Sequence, residues 1–187
     1  MKLVRQFCIL SLAMVSLSAC FLTETSLIDE GEAVLPVDGD MVVCLSEEDP
    51  CIDLVRLDDG YFAQSPEDPD DTFKLRFAPL AQVAGKQVFL AEAELNQDEQ
   101  TGYAYGLARR VSEPNARGAT MDVAPLDCED ASEKLMAKFR ANGGTVEAGK
   151  ITSCAPQSLA QLKDTVLLMH QEDLADDVWW AAQAREF

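Results

Sequence analysis

The apolar residues of this chain repeat with two different periods, and the change from one to the other falls near Asp127. Before that point large apolar side chains alternate with polar ones, as Phe73, Leu75 and Phe77 do within the run 72–79. A period of two is typical of a strand with one buried face, whereas a period near 3.6 is typical of an amphipathic helix. The chain is therefore expected to build a β-sheet first and to add helices afterwards.

Turn residues divide the first part of the chain into short β-prone runs. The Asp-Asp-Gly segment 58–60 separates two of them, and an Asp-Gly pair between apolar runs indicates a hairpin because glycine tolerates positive φ. The turn 96–102 separates two longer runs, which we expect to form the central hairpin. Small Ala104, Gly106 and Ala108 share one face there, so another layer can pack closely against it. The predicted strands are Met41–Leu45, Ile52–Leu57, Tyr61-Phe62, Thr72–Pro79, Lys86–Leu95, Tyr103–Val111 and Thr120–Ala124.

The last third of the chain has helical patterns. Residues 129–141 hold apolar side chains at helical spacing and end before a Gly-Gly pair, where a helix would stop. Ser158 and Gln161 have the spacing of a capping box and introduce a second helix. A third helical pattern covers 173–185. The sequence thus predicts an α+β fold, an antiparallel β-sheet or small β-barrel followed by C-terminal helices and held by two disulfides.

The first nineteen residues have the layout of a secretory signal. Lys2 and Arg5 form a short positive region, residues 7–17 are mostly apolar, and two small residues follow. A membrane-spanning helix needs about twenty consecutive apolar residues, and this run is shorter and is broken by Ser11 and Ser16. We therefore expect export and cleavage rather than a retained transmembrane helix.

The segment Leu17-Ser18-Ala19-Cys20 resembles the lipobox of bacterial lipoproteins. This resemblance implies that the Cys20 thiol is diacylated, that the peptide before it is removed, and that the new amine is acylated as well. One acyl chain holds a protein on a membrane only marginally, whereas two or more hold it stably. Phe21 stands where the enteric sorting rule places Asp for inner-membrane retention, so the resemblance implies an outer-membrane lipoprotein facing the periplasm. The alternative is a plain secreted protein with an accidental cysteine.

Three segments are expected along the chain: a signal peptide at 1–19, an acylated N-terminus with a flexible tether at 20–37, and a single globular domain at 38–187. The tether is predicted because acidic and small polar residues there surround only scattered apolar positions. Without the signal, 168 of the 187 residues remain, a length that suits one domain.

The mature chain is strongly acidic. Two of the 15 Lys and Arg residues leave with the signal, so 13 face 33 Asp and Glu residues and the formal charge is −20. Phosphates would repel such a chain, which argues against a nucleic-acid partner and against lying flat on an anionic lipid surface. A cationic protein partner, or plain solubility, is compatible with this charge.

Six cysteines are present, and one of them leaves with the signal. If Cys20 carries lipid, four remain in an oxidising compartment, where an even number indicates disulfides. Four cysteines allow three pairings, and the order of the predicted elements favours Cys44–Cys51 and Cys128–Cys154. Their spacing lacks the close pairs of zinc knuckles, so no metal site is predicted.

The sequence contains no recognisable catalytic set. His170 is the single histidine and lies at the edge of an apolar stripe near a predicted helix end, where a partly buried structural role is expected. No nucleophile elbow, phosphate-binding loop or zinc-protease motif occurs. The acidic residues are so numerous that no pair is informative, and the clusters 47–49 and 67–71 lack the alternating pattern of a calcium loop. We therefore predict no catalytic residue, cofactor or metal.

Trp179 and Trp180 are neighbours on a predicted helix and point about 100° apart. One of them can enter the core while the other lies at its margin. Alternatively, they anchor a glycan or a protein partner, because exposed tryptophan is typical of binding hot spots.

Together these observations predict a non-catalytic lipoprotein of the cell envelope that binds or supports another envelope component. A second hypothesis is an inhibitor-type binder of a cationic hydrolase such as lysozyme, for which envelope lysozyme inhibitors offer an analogy in compartment and charge alone. A third hypothesis, the weakest, is an envelope hydrolase that uses carboxylates.

Overall fold

The structure is a computed structural model that describes residues 21–43, 52–64, 72–97, 100–110, 121–147 and 152–183. Its strands, in chain order, are β1 (Leu22–Thr23), β2 (Met41–Val43), β3 (Ile52–Arg56), β4 (Tyr61–Gln64), β5 (Thr72–Val83), β6 (Lys86–Gln97), β7 (Gln100–Arg110), β8 (Met121–Pro125), β9 (Thr145–Glu147) and β10 (Ser153–Ala155). Its helices are α1 (Glu133–Ala141), α2 (Leu159–Met169) and α3 (Asp177–Gln183), with short 3-10 turns at Cys128–Asp130 and Asp173–Ala175.

Strands β2 to β8 form an antiparallel meander in which each strand pairs with the next. Strand β7 pairs with β6 along one edge, and its other edge is shared by β1 and β8. Strands β2 and β8 approach each other, but they do not pair in the part of the chain that the structure describes, so the sheet is a half-barrel. The predicted α+β class, with an antiparallel sheet before the helices, is confirmed.

The predicted β3–β4 hairpin is present, but the reason given for its glycine was wrong. Arg56 pairs with Tyr61, and the Leu57 amide donates to the Gly60 carbonyl (2.9 Å). Gly60 does not have a positive φ. A Cβ at Gly60 would instead lie 2.2 Å from the Leu75 carbonyl oxygen on β5. Glycine is needed there because the turn lies directly against the neighbouring strand.

The sheet buries both of its faces. On one side it packs against the helices, in a core whose fully buried members include Phe21, Leu90, Leu107, Leu162 and Trp180. On the concave side a second core includes Met41, Leu54, Tyr61, Phe77 and Met121. Alternation along the central strands sends successive side chains to these two cores, which is the arrangement that a period of two produces.

The predicted tether at 20–37 is wrong for the residues that the structure describes, because the chain packs on the sheet from Phe21 onward. Phe21 and Ile28 are fully buried, and β1 pairs with β7. The Val34 amide donates to the Phe77 carbonyl (2.8 Å). The apolar residues of this segment are few, but most of them pack in or against the two cores of the sheet. The average composition of the segment therefore did not indicate that it is folded.

The predicted disulfide Cys128–Cys154 is present, with a Cα–Cα distance of 6.2 Å, and it ties the turn before α1 to β10. Helix α1 begins at Glu133 rather than Glu129, because Ser132 caps it by accepting a hydrogen bond from the Leu135 amide (3.3 Å). Cys20, the Cys44–Cys51 pair and the acidic clusters 47–49 and 67–71 lie outside the described residues.

Candidate functional site

The concave side of the half-barrel contains an apolar cavity of about 240 Å³. Six strands, β2, β3 and β5 to β8, contribute to its lining. Its lining combines large side chains such as Leu54, Leu75 and Met121 with the small residues Ala93 and Ala104. The cavity is the candidate binding site of this fold, since ligand pockets are concave and mostly apolar.

The cavity exists because the central hairpin carries small residues on its concave face. In the β6–β7 register Ala91 faces Gly106 and Ala93 faces Ala104. Directly opposite residues of an antiparallel pair are close neighbours, so two consecutive small pairs on one face leave a volume that no side chain fills. A Cβ at Gly106 would also lie 3.0 Å from the Ala124 carbonyl oxygen, so this glycine lets β8 approach as well.

Among the residues that the structure describes, the lining has no charged side chain and no free polar one. Its polar member is Tyr105, and the Tyr105 hydroxyl lies on the helix side of the sheet. There it contacts the Thr23 hydroxyl (2.8 Å), donates to a Glu92 oxygen (3.0 Å) and accepts from the Leu27 amide (3.2 Å). Burial raises the pKa of Tyr105 well above its usual value, so the hydroxyl stays neutral. The cavity can therefore hold an aliphatic group, and its described lining residues offer no acid, base or nucleophile.

Glu92 is a buried carboxylate that lies under the N-terminal segment. One of its oxygens accepts from the Ser26 hydroxyl (2.6 Å), and the other accepts from the Leu27 and Ile28 amides (2.8 and 3.1 Å). The Arg76 guanidinium lies 3.6 Å from the first oxygen. Because donors occupy both oxygens, Glu92 fixes the segment 26–28 on the sheet and is not available as a catalytic acid or base.

The structure separates the two tryptophans. Trp180 is fully buried, and its indole N–H donates to the Leu174 carbonyl (3.2 Å). The Arg109 guanidinium lies 4.9 Å from the centroid of the Trp180 ring. The prediction that Trp180 contacts a partner is therefore wrong, because its side chain has no exposed surface. Trp179 is half-buried and packs beside His170, with 5.3 Å between the centroids of the two rings.

His170 has the structural place that its position in the sequence indicated. It ends α2, it is buried, and its Nδ1 lies 3.1 Å from an Asp173 carboxylate oxygen. The described ranges contain no group of three or more His, Cys, Asp or Glu side chains that is arranged to hold a metal ion. Within those ranges, no helix has the length and apolar character needed to cross a membrane.

The small residues of β7 were expected to let another layer pack closely, but some of them line the cavity instead. The small residues Ala104, Gly106 and Ala108 indicated a face that another layer could approach closely. Ala108 does belong to the packed concave core. Beside Ala104 and Gly106, however, the neighbouring strand is also small, at Ala93 and Ala91. The register that pairs them was not readable from spacing alone.

Comparison with protein-family models, with curated proteins and with solved structures finds no match to this chain.

Proposed function

We propose that this chain is a non-catalytic binding module of the cell envelope, anchored by lipid on Cys20, whose half-barrel holds an aliphatic ligand. The observation that carries the proposal is the apolar cavity on the concave side, whose lining within the described ranges carries no charged residue. The signal-like first nineteen residues and the lipobox-like segment 17–20 support the anchor and the compartment.

The cavity favours an aliphatic ligand for an energetic reason. The cavity opens to solvent, so water that fills it lies against apolar side chains. An aliphatic chain that takes the place of this water removes apolar area from solvent, which contributes about 25 cal/mol per Å². A sugar, peptide or nucleotide would leave its polar groups unpaired.

The inhibitor hypothesis has less support from the described residues. It requires an exposed aromatic anchor, and of the two tryptophans Trp180 is buried and Trp179 is half-buried. The acidic cluster 67–71 that would steer a cationic partner lies outside the described residues. We therefore do not propose it.

Photo-crosslinking in the membrane tests the proposed ligand. The mature lipidated protein in vesicles would be exposed to a fatty acid with a diazirine on its chain, and the adducts would be mapped by peptide mass spectrometry. We expect adducts on β3, β5 and β8, whose side chains line the cavity. Ala93→Phe fills the cavity and should reduce these adducts at least about tenfold, the equivalent of about 1.4 kcal/mol of binding free energy.

Val178→Phe is the matched control, because it adds an aromatic ring at a side chain that is 76% exposed on α3. Adducts that persist on the same strands in folded Ala93→Phe would contradict the proposal, as would adducts confined to other surfaces. If Ala93→Phe does not fold, Ala104→Leu makes a smaller change from the facing strand.

We also propose the second disulfide, Cys44–Cys51. Strands β2 and β3 pair Met41 with Leu54 and Val43 with Ile52. If this register continued by one residue it would place Cys44 opposite Cys51, and directly opposite residues in an antiparallel ladder are close enough to support a bridge. Non-reducing peptide mapping should recover these two cysteines in one linked fragment, and a free thiol at either position would contradict the pairing.

A further inference from the structure

The chain enters the described structure at a fixed point. Phe21 is fully buried, and its carbonyl oxygen accepts from the Tyr105 amide (3.2 Å). Phe21 also forms a parallel bridge with Cys154, and its ring meets Phe139 edge to face, with 6.0 Å between centroids. Consecutive Cα atoms are about 3.8 Å apart. A lipid on Cys20 is therefore attached one peptide unit from the packed core, with no tether between them.

Helix α1 lies beside this entry point through Phe139, and its charge is unusual for this chain. It carries three exposed cations, Lys134, Lys138 and Arg140, and one acid, Glu133. Helix α2 is neutral in sequence and α3 is acidic. Among the described helices, α1 alone is net positive, although the mature chain has an excess of acids.

The cations of α1 also differ from most others in the structure in having no ion pair among the described residues. Five other cations are held by carboxylates: Arg56 by Asp38, Lys74 and Arg76 by Asp59, Lys86 by Asp177, and Arg109 by Asp122. Lys134 and Lys138 are four residues apart and so share one face of the helix. That face is opposite Met136 and Phe139, which are buried.

An exposed apolar side chain lies next to this cationic face. A groove between α1 and α2 is lined by Leu135 and Lys138 from one helix and by Leu168 from the other, together with one exposed acid, Asp164, on α2. Leu168 is 49% exposed. Lysines beside exposed leucine suit the boundary between headgroups and acyl chains, where cations meet phosphates and apolar side chains enter the lipid.

We infer that the exposed face of α1, together with Leu168, is the surface that lies on the membrane, and that Lys134 and Lys138 contact the phosphates of anionic lipids. This inference rests on the proposed lipid at Cys20. The formal charge of −20 repels an anionic bilayer as a whole. An anchored domain without a tether is therefore expected to turn its acidic surfaces away and its unpaired cations toward the lipid.

Lysine labelling in vesicles tests this orientation. The mature lipidated protein would be reconstituted in phosphatidylcholine, with or without phosphatidylglycerol, and each lysine would be acetylated with a water-soluble reagent and quantified by mass spectrometry. Contact with anionic lipid is expected to slow labelling of Lys134 and Lys138 about fivefold relative to detergent, since each lysine near an anionic surface gains about a factor of five in association. Lys86, held by Asp177 beside α3, is the internal control and should be unchanged.

A matched variant separates orientation from simple proximity. A flexible Gly-Ser segment inserted between Cys20 and Phe21 keeps the lipid but restores a tether, and it should return the labelling of Lys134 and Lys138 to the detergent rate. Equal labelling of all lysines in protein that floats with the vesicles would overturn the inference and leave the anchor intact. Protein that does not float and carries no lipid mass would overturn both the anchor at Cys20 and the orientation.

Discussion

Glu92→Gln tests whether the buried carboxylate holds the N-terminal segment on the sheet. The substitution keeps the size of the side chain and removes its charge. In the structure the carboxylate accepts hydrogen bonds from Ser26, Leu27, Ile28 and Tyr105 and lies near Arg76. An amide retains only one acceptor oxygen, so its NH2 group must face some of the same donors.

The expected cost follows from the number of these bonds. A hydrogen bond to a charged group contributes about 1.5–3 kcal/mol and a neutral one about 0.5–1.5 kcal/mol. Four bonds that lose their charge assistance therefore cost about 4 kcal/mol together. For a domain of this length, each kcal/mol lowers the melting temperature by about 2–4 °C, so the variant should melt about 8–16 °C lower.

Thermal unfolding followed by circular dichroism measures the change, and amide hydrogen exchange locates it. The Leu27 and Ile28 amides should exchange faster in Glu92→Gln, because they lose their charged acceptor. Glu147→Gln is the control on an exposed strand position, and it should change stability by less than about 0.5 kcal/mol. Equal melting temperatures for the two variants, or unchanged protection at Leu27 and Ile28, would refute the proposed role of Glu92.

Three further outcomes are expected. Replacing Cys128 and Cys154 together by Ala should lower the free energy of unfolding by about 3.5 kcal/mol in urea titration, because the bridge closes a loop of 26 residues. Hydrogen bonds from Lys74 and Arg76 hold the pKa of Asp59 in the folded protein below its usual value. The ionised Asp59 side chain therefore stabilises the fold at any pH above the usual carboxyl pKa. This stabilisation is lost as the pH falls through the lower pKa of the folded state. Asp59→Asn should therefore be less stable than the parent near neutral pH, and the two unfolding midpoints should converge in acid. Tyr61→Phe removes the donor to the part-buried Val37 carbonyl (2.7 Å) and should cost about 1 kcal/mol in the same titration.

The strands and the disulfide Cys128–Cys154 were readable from the sequence because they depend on local information. A strand with one buried face needs only a period of two, and β5 has it at Phe73, Leu75 and Phe77. The disulfide followed from the order of the elements and an even number of cysteines. Both signals lie within short stretches of chain, so long-range packing did not alter them.

The N-terminal segment was not predictable because its structure depends on partners far away in the sequence. Residues 26–28 are ordered by Glu92, which is more than sixty residues later. Read locally, the same residues resemble a polar linker. The cavity has the same origin, since it requires the register that places Ala91 opposite Gly106. That register depends on the length and geometry of the turn between β6 and β7.

If the chain is exported and cut before Cys20, as proposed, the burial of Phe21 limits the order in which cutting and folding can occur. The cut bond would lie two residues from a side chain with no exposed surface. A protease active site must hold several residues on each side of that bond in an extended form, and the folded edge at β1 and β7 leaves no such length free. Maturation and folding therefore compete for the same few residues. Cutting must come before β1 joins the sheet, and a precursor that folds too early should remain uncut.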